Sequence, residues 1–105
     1  MLHEDGRVRF FTHGVTLAYR CYGTGAEPLL ALHGFGRTGA DFAILEEYIG
    51  DRYAIHAFDL HFHGSSPGYP HRADEPFAPH EIARYFAAFA DAIGAQRLSL
   101  LGYSL

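Results

Sequence analysis

One cysteine, Cys21, is all that the 105 residues contain, so no internal disulfide can form and a reducing, cytoplasmic compartment is the expectation. Basic runs are missing as well. Eight Lys and Arg against twelve Asp and Glu give a net charge of −4, scattered along the chain. That balance excludes the electrostatic footprint of a nucleic-acid or anionic-lipid binder. No apolar run approaches the ~20 residues that span a bilayer. The opening "MLHEDGRVRFF" carries Glu4 and Asp5 and lacks a small-residue cleavage site, so it does not read as a signal peptide. Internal repeats and low-complexity tracts are also absent. Nucleic acid and membrane therefore drop out as expected partners. What is present is 49% apolar and 15% aromatic, ample for a packed core and contrary to disorder. The length suits one domain at most, or a piece of one.

Periodicity gives an order of elements. "RVRFF" and "VTLAYRCY" are short alternating runs joined by Thr12-His13-Gly14, which suits a hairpin. In the second run Val15, Leu17, Tyr19 and Cys21 share one face and Thr16, Ala18, Arg20 and Tyr22 the other. Pro28 opens the apolar run Leu29 to Leu32, a buried strand. Phe42, Leu45 and Ile49 recur at helical spacing between Asp41 and Ile49, with Gly50 as a stop. "YAIHAF" is a further strand ending at Asp59. "SSPGYPHRADEPFAP" holds four of the five prolines and reads as loop, with Pro79 as a first helical residue. Ile82, Phe86, Phe89 and Ile93 then form a stripe expected to pack into the core, and Gly94 ends the helix. "RLSLL" is the last strand and leads directly into Gly102-Tyr103-Ser104-Leu105. A β-hairpin followed by strand–helix–strand–helix–strand implies an α/β fold with a sheet covered on both faces.

The stretch "LLALHGFGRTGADF" supports two readings. Gly34, Gly36 and Gly39 spell G-x-G-x-x-G after an apolar strand, with Asp59 twenty residues beyond the last glycine, which is the spacing of a dinucleotide-binding fingerprint. That motif needs a helix to begin within the glycines so that its N-terminus faces a pyrophosphate. Here the first helical apolar residue is Phe42, and an amphipathic hairpin precedes the strand. Alternatively, His33-Gly34-Phe35-Gly36 forms a loop that stabilises an oxyanion. The tail adds weight to this second reading. Gly102-Tyr103-Ser104 follows a buried strand, where a serine held at a sharp strand-to-helix turn projects its hydroxyl above the sheet.

On these residues the chain resembles the α/β-hydrolase family. His33-Gly34-Phe35-Gly36 is similar to that family's loop after its third strand. "DLHFHGSS", Asp59 to Ser66, is similar to its D-L-x-G-H-G-x-S segment, and "LGYSL" to the first part of its nucleophile elbow. The resemblance runs from the hairpin to Leu105 and covers the first half of the fold. Residues 1–105 therefore read as one incomplete domain truncated at the elbow, with Met1 as a true start and Leu105 not as a true end. The resemblance implies Ser104 as nucleophile, backbone N–H groups of Phe35 and Leu105 as oxyanion donors, and Gly102 and Tyr103 as the elbow. It also implies a small-molecule acyl substrate, an acyl-enzyme and no cofactor. The triad acid and histidine would lie beyond Leu105, since the family's order is Ser, then Asp or Glu, then His. None of the eight histidines present suits the base. Serine at the nucleophile position argues against a dehalogenase, which in this family uses aspartate. Phe62 departs from the family's usual glycine and is a candidate pocket wall.

Several of these residues also have plainer readings. His33 reads as a loop residue bonded to nearby backbone, and Asp59 as a carboxylate that fixes a loop at a strand end. His56, Asp59, His61 and His63 suggest a metal, but Ser65 and Ser66 stand where H-x-H metallohydrolases place further ligands, so no metal is expected. The chain on its own is expected to be catalytically silent and poorly stable, because "RLSLL" would be a bare apolar edge. Two alternatives remain: a non-catalytic ligand-binding protein of the same fold, and a dinucleotide-binding domain using Gly34, Gly36 and Gly39. Residues beyond Leu105 would discriminate the first, and a direct NAD(P) titration the second.

Overall fold

A computed structural model of the chain describes residues 8–34, 37–60 and 79–103. Strands β1 (Val8–His13) and β2 (Val15–Tyr22) form the antiparallel hairpin, in register from Val8 opposite Arg20 to His13 opposite Val15. Gly14 turns the chain between them with φ +78°, a conformation that L side chains rarely adopt. Strand β3 (Glu27–Leu32) leads through a 3₁₀ helix (Gly39–Leu45) and one α-helical turn, α1 (Glu46–Ile49), to β4 (Tyr53–Phe58). Helix α2 (Pro79–Ala92) then precedes β5 (Ser99–Gly102).

These strands form one sheet in the order β1-β2-β4-β3-β5. Strand β3 pairs in parallel with both β4 and β5, whereas β2 runs antiparallel to β4. The chain leaves β3 toward β4 on one side and then crosses back over β3 to reach β5 on the other. Two crossovers of the same hand running in opposite directions place their helices on opposite faces. The core follows that rule. Leu29, Ala31, Ile55 and Ala57 pack with Phe42 of the 3₁₀ helix on one face, while Leu17, Leu30 and Phe58 pack with Tyr85 and Phe89 of α2 on the other. Among the described residues no helix is long and apolar enough to cross a membrane.

Two expectations need correction. The segment from Asp41 to Ile49 is mostly 3₁₀ rather than α-helical. With three residues per turn, Phe42 and Leu45 stack in line toward the sheet, which the same apolar spacing also permits. The core stripe of α2 is rotated as well. Tyr85 and Phe89 are buried and Phe86 half-buried, whereas Ile82 and Ile93 remain 40% and 38% exposed. Tyr85 can go inside because its hydroxyl donates to the Phe11 carbonyl at 2.6 Å, which satisfies its polar tip. Its ring also meets Phe11 edge-on at 5.4 Å.

Candidate active site

In open α/β sheets, sites form beyond the carboxyl ends of the strands, where the direction of winding reverses. Here that point is β3, flanked by β4 and β5. The Tyr103 N–H donates to the Leu32 carbonyl at 3.1 Å, so the β3–β5 ladder continues to the very ends of both strands. His33 and Gly34 therefore leave the sheet beside Gly102 and Tyr103. Ser104, Leu105, Phe35, Gly36 and Phe62 lie outside the described residues.

His33 is 1% exposed. Its Nε2 accepts from the Leu60 N–H at 2.9 Å, and its Nδ1 lies 2.6 Å from the Gly34 carbonyl. Acceptance at Nε2 assigns the ring proton to Nδ1, which donates to Gly34. The Gly34 carbonyl also accepts the Arg37 N–H at 3.1 Å. His33 is thus engaged with backbone on both of its nitrogens.

Asp59, fully buried, closes the other end of this loop. Its Oδ1 accepts the Gly39 N–H at 2.7 Å, and Arg20 Nη1 donates to Oδ1 at 3.0 Å and Oδ2 at 3.1 Å. The Asp59 N–H donates to the Ala18 carbonyl at 2.8 Å. Gly39 is a steric necessity here: a Cβ on it would stand 2.5 Å from the Ala57 carbonyl oxygen. Thr38 caps the 3₁₀ helix, its hydroxyl accepting from the Ala40 N–H at 3.2 Å. At the surface Arg37 clamps Asp41 with two hydrogen bonds, which lowers the Asp41 pKa. By contrast, a Cβ on Gly102 would meet nothing within 4 Å, so described neighbours do not account for glycine there.

A cavity of about 310 Å³ adjoins these strand ends, its lining including His33, Phe42, Ile44, Leu45, Leu101 and Tyr103. Of the metal reading, His61 and His63 lie outside the described residues, and His56 and Asp59 stand on opposite faces of the sheet. His56 packs its ring against Phe89 on the α2 face, whereas Asp59 faces Gly39 and Arg20 on the other. Among the described residues no group of three or more metal-ligating side chains occurs. His56 Nδ1 lies 3.4 Å from Cys21 Sγ, and burial lowers the pKa of this histidine and raises that of the thiol. Sequence reasoning missed Arg20, although a charge on a strand face shared with Ala18 and Tyr22 was the available signal.

A family profile described as the alpha/beta hydrolase fold matches residues 27–105. The chain is 32% identical over 92 residues to the dihydrolipoyllysine-residue acetyltransferase component of an acetoin cleaving system from Cupriavidus necator, covering 88% of this chain and 24% of that protein. It is 35% identical over 66 residues to a pimeloyl-[acyl-carrier protein] methyl ester esterase from Chromobacterium violaceum, covering 63% and 26%. A hydrolase of solved structure from Pseudomonas aeruginosa superposes with a TM-score of 0.78 at 25% identity, covering 96% of this chain and 38% of that one. The chain thus spans about a quarter of the length of the curated relatives it matches.

Proposed function

Because this chain belongs to the α/β-hydrolase family, we propose that it carries the nucleophile half of a serine hydrolase acting on an ester-like acyl substrate. Ser104 Oγ attacks the acyl carbonyl, the alcohol leaves with a proton, and water then cleaves the acyl-enzyme. The histidine that takes the hydroxyl proton and the acid that orients it belong to the half of the fold outside residues 1–105. The chemistry draws on no cofactor, and its partner is a small molecule.

The observation that carries this reading is the side-by-side exit of the His33-Gly34 loop and the Gly102-Tyr103 strand end, tied by the Tyr103 to Leu32 hydrogen bond. A nucleophile at Ser104 and main-chain donors at Phe35 and Leu105 would then converge on one carbonyl group. Two donors, the His33 ring and the Arg37 N–H, hold the Gly34 carbonyl in place. Each oxyanion donor typically contributes on the order of 3 kcal/mol to the transition state. The esterase among the relatives supports the substrate class.

Treatment of the protein that carries this chain with a fluorophosphonate, followed by mass-spectrometric mapping, tests the reading. A label on Ser104 that Ser104→Ala abolishes is the expected result. A folded protein that takes no label overturns it and favours a ligand-binding role.

A further inference from the structure

Arg20 lies on β2, separated from β3 by β4, and it is joined to the strand ends where the chemistry is placed through one carboxyl group. Its Nη1 touches both oxygens of Asp59, and one of those oxygens holds the Gly39 amide. One residue on, the Leu60 N–H holds His33. The segment 59–60 therefore fastens both ends of the loop that runs from His33 to Gly39, and its Asp59 N–H is itself fastened to Ala18, in β2 like Arg20.

A buried ion pair contributes little net stability compared with apolar residues of similar shape, because desolvation offsets the attraction. What such a pair supplies is geometry: each partner is held at a distance and direction that packing alone leaves loose. Asp59 is fully buried and the Arg20 side chain is 19% exposed, so the pair is shielded from screening by solvent. The close approach of Gly39 to the Ala57 carbonyl leaves the loop end little room to settle elsewhere.

We infer that Arg20 is a positioning residue for the reaction assigned to Ser104, acting through the Asp59 carboxyl to fix the Gly39 end of the oxyanion loop. This rests on the serine hydrolase reading above.

The test compares the protein carrying this chain with its Arg20→Lys and Arg20→Met/Asp59→Leu variants. The double variant removes the pair without leaving a buried charge alone, the most destabilising of the losses, although it also takes the acceptor from the Gly39 N–H. Two quantities are read: the rate of fluorophosphonate labelling at Ser104, and hydrogen exchange of peptides spanning 33–40 and 53–58. In the double variant, labelling slows on the order of tenfold to a hundredfold, as a misplaced site does. Exchange over 33–40 accelerates while 53–58 keeps its protection. Arg20→Lys, which keeps a cation, restores most of the rate. An unchanged labelling rate in the double variant overturns the inference, as does slower labelling with unchanged exchange over 33–40. If the unmodified protein takes no label, the hydrolase reading falls. The clamp on the loop is then judged by exchange alone, and unchanged exchange over 33–40 refutes it.

Discussion

The amide of Gly39 donates to Asp59 Oδ1 across 2.7 Å, although twenty residues separate the two. These are the last glycine and the distant acid of the apparent dinucleotide fingerprint. In the folded chain they are used on each other: the amide is occupied by the chain's own carboxyl, and the carboxyl by the amide and Arg20. The spacing that suggested a nucleotide is accounted for by a loop clamp.

Titration with NAD(P) is accordingly expected to give no heat and no fluorescence change. Saturable binding that Gly39→Val removes would restore the nucleotide reading.

Gly39→Ala places a methyl group 2.5 Å from a backbone carbonyl oxygen, a contact that a flexible side chain cannot relieve. A loss of about 1–3 kcal/mol in urea unfolding is expected, in the range of other overpacking substitutions. Gly102→Ala serves as the control, since its Cβ meets nothing within 4 Å.

Asp59→Ala leaves Arg20 half-buried without its partner and the Gly39 N–H without its acceptor. Breaking a buried pair in this way costs about 3–5 kcal/mol. Denaturant midpoints should therefore fall much further for Asp59→Ala than for the double variant that removes both charges.

His56 supplies a pH dependence. Its pKa lies below the ordinary 6.5, mainly because burial disfavours the charged ring, with Arg9 adding to the effect. Above 6.5 both the folded and unfolded forms are neutral at this residue, and its contribution is fully present. As pH falls below 6.5 the unfolded chain takes up the proton first, so stability declines until the folded pKa is reached. Thermal midpoints measured from pH 7.5 downward should show this decline, and His56→Phe should flatten it.

Helix α2 offers a direct check on which stripe faces inward. Tyr85→Phe removes the hydrogen bond to the Phe11 carbonyl, for a loss of about 0.5–1.5 kcal/mol. Ile82→Ser and Ile93→Ser, at exposed positions, should each stay within about 0.5 kcal/mol of the parent.

That last comparison shows where the sequence was informative. Elements with local causes were legible: Gly14 at the hairpin turn, the apolar run of β3, and Pro79 at the start of α2. Period-based assignments failed where two patterns share one spacing. Phe42 and Leu45 fit a 3₁₀ helix as well as an α-helix, and Tyr85, outside the expected stripe, is buried because its hydroxyl finds a partner in the Phe11 carbonyl. Of the site, the strand ends bearing His33, Gly34, Gly102 and Tyr103 were legible from motifs, and the structure places them side by side. Arg20 was not, because its meaning depends on Asp59, thirty-nine residues away and brought near only by the antiparallel pairing of β2 with β4.

The strand order also constrains how the sheet can assemble. Strand β4 lies between β2 and β3, both of which precede it in the chain. The hairpin of β1 and β2 is local and can close early, but β3 has no neighbour until a later segment inserts beside it. The sheet therefore cannot grow by adding each new strand to the last. The central strand, Tyr53–Phe58, is the one that joins the hairpin to β3, and it carries the buried Asp59 into place at its end.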